Sequence, residues 1–195
     1  LHGWGANAQD LASLTPYLNL ENYYFVFPNA PFPYSYGSFG KAWYDLAIQN
    51  QGELAQIQDR TGLAQSRQLL IDWLLALESQ TGIPLEATIL AGFSQGGAMT
   101  LEVGLDLPLA GLVVLSGYMH QRQQPFPATF PPILIIHGTQ DGVVPIAAAR
   151  HTQAELIQAG ATVEYQEFPM QHEISREAIA RVRTFLTNIP ESRHF

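Results

Sequence analysis

Two uninterrupted apolar runs, Gly111-Leu-Val-Val-Leu115 and Ile133-Leu-Ile-Ile136, constrain the fold of this chain more than any other feature. A strand with one wet face alternates apolar and polar residues, whereas a continuous apolar run is what a strand covered on both faces requires. Residues 23–27, 87–93 and 162–168 read as further strands, with helical patterns between them. Over residues 63–80, Leu63, Leu70, Leu74 and Leu77 share one face, and Gly82-Ile83-Pro84 ends the run. Residues 95–105, 145–159 and 175–189 are the other expected helices; Pro145 suits a first turn, Ser175 a cap and Glu177 an N-terminus. The alternation predicts an α/β fold with a mostly parallel central sheet and helices on both faces. Such sheets carry their ligand sites in loops beyond the carboxyl ends of the strands.

A length of 195 residues with 47% hydrophobic and 13% charged content predicts one globular domain, residues 1–195, with a lid-like loop region at about 28–59. Nine basic against seventeen acidic residues leave a net charge of −8, and no basic run is present to follow a phosphate backbone, so no nucleic-acid partner is expected. No apolar stretch approaches the roughly 20 residues that span a bilayer, so no integral membrane association is expected. The absence of cysteine excludes disulfides, thiolate zinc sites and a cysteine nucleophile; the cytoplasm is the default compartment, and a homodimer is compatible with the sequence. The chain starts on Leu1 without a methionine and runs directly into His2-Gly3, from which further residues upstream are expected.

Gly92-Phe-Ser-Gln-Gly96 sits where an apolar strand meets a helix. Glycines two residues to either side of Ser94 let neighbouring backbone approach without a Cβ, which places the serine on a tight elbow at the sheet edge. The same turn aims the Gln95 backbone N–H and the positive end of the following helix at an oxyanion forming beside Ser94. A serine nucleophile needs a base and a group to orient that base, in the chain order acid and then histidine. Asp141 lies in a glycine-containing turn after the 133–136 strand, and His172 in a short loop after the 162–168 strand. Taken alone Asp141 reads better as a turn or capping residue than as a catalytic one; it is the joint order of Ser94, Asp141 and His172, each after a strand, that marks a catalytic set. His2 and His137 each precede glycine at a loop entrance, where an imidazole serves nearby backbone, and no proton transfer is assigned to them or to His120, His151 and His194. The glycine-rich start, Leu1 to Asn7, supplies free backbone N–H groups, with Trp4 N–H as candidate partner to Gln95 N–H; the alternative is an unstructured terminus. Residues 28–48 carry Phe32, Tyr34, Tyr36, Phe39, Trp43 and Tyr44 among Pro and Gly without a regular period, and read as an ordered loop that forms a satellite core, lines an apolar cleft, or both.

These residues resemble the phospholipase/carboxylesterase family of the α/β-hydrolase fold, which includes the acyl-protein thioesterases. The resemblance rests on Leu-His-Gly-x-Gly at the start, Pro28-Asn-Ala-Pro31, Trp43-Tyr-Asp45, Gly92-Phe-Ser-Gln-Gly-Gly-Ala-Met99, Leu115-Ser-Gly117, His137-Gly through Asp141-x-Val-Val-Pro145, and His172-Glu173, in family order over almost the whole chain. It implies a Ser94, Asp141, His172 triad, an oxyanion hole from the backbone N–H groups of Trp4 and Gln95, and an acyl groove to which Trp4, Trp43, Leu46, Ile48 and Val143 map. Gln171 stands where the family often has glycine and Trp4 where leucine is common, either of which narrows the acyl site. The family places a central strand before the oxyanion loop, so one or more N-terminal strands are expected to lie outside this sequence; a full-length mass of 21.5 kDa would count against that.

The function expected is a serine hydrolase cleaving carboxylic esters of short to medium acyl chains, small uncharged or weakly charged molecules, with no metal or organic cofactor. Acyl-protein thioesterase or lysophospholipase activity on the same triad is the alternative. A small-molecule receptor on the same scaffold, or a pure interaction module, are the non-enzymatic readings.

Overall fold

The computed structural model describes residues 1–47, 54–122 and 124–189. Two short helices, α1 (Ala8–Ala12) and α2 (Thr15–Leu18), precede a two-residue hairpin, β1 (Phe32–Pro33) and β2 (Lys41–Ala42). Then come α3 (Arg60–Thr81), β3 (Ile89–Phe93), α4 (Gln95–Gly104), β4 (Gly111–Leu115), β5 (Ile133–Gly138), α5 (Ile146–Gln158), β6 (Val163–Phe168) and α6 (Arg176–Asn188). Strands β3 to β6 form a four-stranded parallel sheet in chain order. Because all four run the same way, the turns after β3, β5 and β6 open on one edge.

Burial follows the apolar runs. Every residue of β5 is buried, as are the first four of β4. Leu112, Val114, Ile133 and Ile135 face Leu70 and Leu74 of α3, Met99 and Leu101 of α4 and Leu156 of α5, whereas Val113, Leu134 and Ile136 face Val182, Phe185 and Leu186 of α6. Helices therefore cover both faces, as expected, and each fully buried aliphatic side chain contributes about 1.5–3 kcal/mol. Strand β6 alternates half-buried and exposed residues, the pattern of a sheet edge, and places Glu164 against Arg181 and Glu167 against Arg150. In α3, Asp59 caps the start by accepting from Thr61 N–H, and Gly82 ends the helix at φ 72°, the left-handed region that favours glycine. No helix among the described residues is long and apolar enough to cross a membrane.

Two expectations need correction. Residues 23–27 join none of the sheet ladders. They alternate half-buried Tyr23, Phe25 and Phe27 with exposed Tyr24 and Val26, and the inward rings line up in a row. That alternation reports which side chains face the protein, whereas a strand also requires a neighbour in register. The expected loop is ordered over residues 28–47, but β1 and β2 pair antiparallel inside it, Phe32 with Ala42 and Pro33 with Lys41, and Ile48 lies outside the described residues. Strand β2 also exchanges backbone hydrogen bonds with the N-terminal loop, Gly5 N–H to Lys41 O at 2.9 Å and Lys41 N–H to Ala6 O at 2.8 Å.

Candidate active site

The turn between β3 and α4 shows why glycine flanks Ser94. A Cβ on Gly92 would lie 2.1 Å from Gly96 O, and one on Gly96 would lie 2.2 Å from Leu1 O, closer than any side chain tolerates. Ser94 itself sits at φ 55°, ψ −120°, a conformation that costs a non-glycine residue on the order of 1–3 kcal/mol. Its side chain makes no capping bond to α4, which leaves Oγ free to face outward. There it lies 2.9 Å from His172 Nε2, and His172 Nδ1 lies 2.7 Å from Asp141 Oδ2. The three residues that the strand order brings to one edge thus form a continuous hydroxyl, imidazole, carboxylate relay.

Each member is held by its neighbours. The other oxygen of Asp141, Oδ1, accepts from Val143 N–H at 2.9 Å and Val144 N–H at 2.8 Å, so the carboxylate has one orientation and a fully buried side chain. Burial pushes its pKa up, but the hydrogen bonds from His172, Val144 and Val143 outweigh this and hold it below the ordinary carboxylate range. The carboxylate is therefore ionised at neutral pH. His172 rests against the Phe93 ring at 4.8 Å between centroids, with its side chain 17% exposed. Its loop reaches β5 because Gly138 has no side chain: a Cβ there would lie 2.2 Å from Met170 O.

The N-terminal loop is ordered and lies against the elbow; a Cβ on Gly3 would come 3.3 Å from Ser94 Cβ. Phe93 N–H donates to Leu1 O at 3.0 Å. Among the described residues neither Trp4 N–H nor Gln95 N–H has a protein acceptor, and Gln95 is the first residue of α4, where no intrahelical acceptor exists. Two unpaired donors on converging segments suit a developing oxyanion.

Of the residues mapped to an acyl groove, Trp4 is half-buried and packs edge-on against Tyr34 and Tyr36 at 5.0 and 5.8 Å. Val143 is 59% exposed beside Asp141, whereas Trp43 and Leu46 are buried at 2% and 6%. Ile48 lies outside the described residues. Within the aromatic segment Trp43 and Tyr44 enter the main core, not a satellite one, and Tyr36 and Phe39 are exposed.

Two buried imidazoles serve backbone. His2 Nε2 accepts from Ala30 N–H at 3.0 Å, and His137 Nε2 donates to Val144 O at 2.9 Å while standing 3.5 Å from Asp141 Oδ2. His137 therefore serves nearby backbone, as expected, and the carbonyl it holds belongs to the turn that carries Asp141. Burial is the main reason both rings titrate below the ordinary 6.5. In the interval between each depressed value and 6.5 the unfolded chain binds protons that the folded protein does not, so stability falls as pH drops below about 6.5. Tm followed from pH 7.5 to 5.5 is expected to decline; a Tm that holds level would contradict the burial of these rings.

The phospholipase/carboxylesterase family profile matches residues 1–189. The chain belongs to that family. It is similar to acyl-protein thioesterase 1 of Neurospora crassa, 31% identical over 202 residues that cover 95% of this chain and 80% of that protein. It is also 31% identical over 170 residues to a probable carboxylesterase of Oryza sativa subsp. japonica, covering 83% of this chain and 63% of the rice protein. Among solved structures, esterase PE8 superposes with a TM-score of 0.84 at 31% identity, over 97% of this chain and 90% of that one. The fold is the α/β-hydrolase fold, and the protein is a hydrolase.

Proposed function

We propose that this hydrolase cleaves carboxylic esters of short to medium acyl chains through an acyl-enzyme on Ser94. The observation that carries the proposal is the relay of Ser94 Oγ, His172 and Asp141 at 2.9 and 2.7 Å, beside two unpaired backbone donors. His172 Nε2 takes the Ser94 proton as Oγ attacks the acyl carbonyl, and ionised Asp141 stabilises the imidazolium. Trp4 and Gln95 N–H groups hold the tetrahedral oxyanion, each worth roughly 3 kcal/mol by the general cost of losing such a donor. The oxyanion collapses, His172 protonates the leaving alcohol, and water repeats the sequence to release the acid and restore Ser94. No metal or organic cofactor enters this scheme.

A small, uncharged or weakly charged ester is the substrate class, because a protein of net charge −8 repels anions. Half-buried Trp4 and exposed Val143 border the relay as apolar contacts for the acyl chain. We assign the activity to the cytoplasm. Thioester cleavage is the second reading, favoured by the similarity to proteins named acyl-protein thioesterases. The test is a matched series of p-nitrophenyl esters and acyl thioesters from acetyl to palmitoyl. Ester kcat/KM is expected to peak between butyryl and octanoyl and to exceed that of the matching thioesters. A thioester preference rising toward palmitoyl would replace the first reading with the second.

A further inference from the structure

Resting on that reading of the site, we infer that Trp43 and the Gln95 side chain are positioning residues that set the spacing between the two oxyanion donors, through hydrogen bonds joining the N-terminal loop to the elbow. The two donors belong to separate segments, and Trp4 N–H lies only two residues beyond His2. Trp43 Nε1–H donates to His2 O at 2.9 Å. Trp43 backbone N–H donates to Gln95 Oε1 at 3.0 Å, and Gln95 Nε2 donates to Tyr44 O at 2.7 Å. One dipeptide, Trp43-Tyr44, therefore grips the oxyanion loop with its indole and the oxyanion elbow with its backbone.

The dipeptide is itself immobilised. Ser66 Oγ of α3 donates to Trp43 O. Tyr44 Oη hydrogen-bonds Tyr118 Oη at 3.1 Å and His120 Nε2 at 2.8 Å, and His120 Nδ1 meets Glu102 of α4 at 2.9 Å. Trp43, Tyr44, Gln95 and His2 are each no more than 2% exposed, so water cannot substitute for a lost bond without a rearrangement. The geometry leaves little slack, because a Cβ on Gly96 would lie 2.6 Å from His2 O itself. Removing the indole N–H leaves His2 O buried and unpaired; its peptide must turn or shift to find a donor, and Trp4 N–H moves with it. An error of about 1 Å in such a group costs on the order of a hundredfold in rate.

This role differs from that of a groove wall in what it does to kinetics. A lost groove contact raises KM, and increasingly so for longer acyl chains; a displaced oxyanion donor lowers kcat by the same factor for every chain. The experiment compares wild type, Trp43→Phe, Gln95→Met and a protein with benzothienylalanine at position 43, which keeps the bicyclic shape and lacks only the N–H. Hydrolysis of acetyl, butyryl and octanoyl esters is measured with inhibition by an aryl trifluoromethyl ketone, whose adduct with Ser94 carries the oxyanion. For the benzothienylalanine protein the expected result is a ten- to hundredfold fall in kcat at all three lengths, KM within twofold, and ketone affinity weakened by the same factor. Trp43→Phe and Gln95→Met follow in the same direction where they fold. Ketone affinity and kcat within threefold of wild type in the folded benzothienylalanine protein overturn the inference, as does a change confined to KM of the octanoyl ester. A folded wild type that neither turns over any acyl substrate nor binds the ketone overturns the underlying reading and this one together.

Discussion

Ser94→Ala is expected to lower kcat by about a millionfold, the general scale for deleting the nucleophile of a serine, histidine, acid set. The size of the effect reflects how much of the site is arranged around one atom. His172 Nε2 would lose the hydroxyl 2.9 Å away, and Trp4 and Gln95 N–H would face an oxyanion that no longer forms covalently. Stability should stay within a few tenths of a kcal/mol, because the Ser94 side chain caps nothing in α4 and alanine carries the same backbone strain at φ 55°. Single-turnover hydrolysis of a p-nitrophenyl ester, with intact mass after treatment with a fluorophosphonate, measures both activity and attachment. A variant that retains more than a hundredth of wild-type activity, or that still takes up one label, would mean that a different residue attacks the acyl carbon.

Asp141→Asn is expected to lower kcat at neutral pH by about ten-thousandfold, the general cost of an amide in place of the orienting carboxylate. The cause here is specific. Asp141 Oδ1 is engaged by two donors, Val143 N–H and Val144 N–H, so an asparagine must keep its carbonyl oxygen there and turn its NH2 toward His172. His172 Nδ1 is then forced to accept, its proton moves to Nε2, and the nitrogen facing Ser94 can no longer act as a base. The fold is expected to survive, because both backbone bonds to Oδ1 remain. Steady-state kinetics at pH 7, with the His172 tautomer read from 15N chemical shifts, test the two parts together. A loss of less than tenfold, or an unchanged tautomer, would show that His172 is oriented without Asp141.

The strand and helix pattern was legible because it is local. Gly111 to Leu115 and Ile133 to Ile136 are apolar throughout and occupy the two most buried strands, and the helices expected at 145–159 and 175–189 form within a residue of those bounds. The elbow was equally legible, since glycine on both sides of a serine between strand and helix answers a close backbone approach that Gly92 and Gly96 both make. Residues 23–27 misled for a related reason. Their alternation is real, but it records facing alone, and ladder formation depends on what lies beside them. Trp43 shows the limit at the site. The family resemblance maps it to an acyl groove, whereas its ring is buried and its indole N–H holds the carbonyl of a residue 41 positions away.

The chain order of apolar runs and turns by itself determined that Ser94, Asp141 and His172 end at one edge of a parallel sheet. Each of those placements depends on a strand and the turn directly after it. Only the tertiary structure decided that the three make bonding distances, that Asp141 stays charged inside the protein, and that His137, Trp43 and the Gln95 side chain brace the parts around them. Apart from the contacts of His137, which lie four and seven residues away at Asp141 and Val144, those are meetings between groups remote in sequence. Their geometry is set by how helices and loops pack over the sheet, and no local period or composition carries that information.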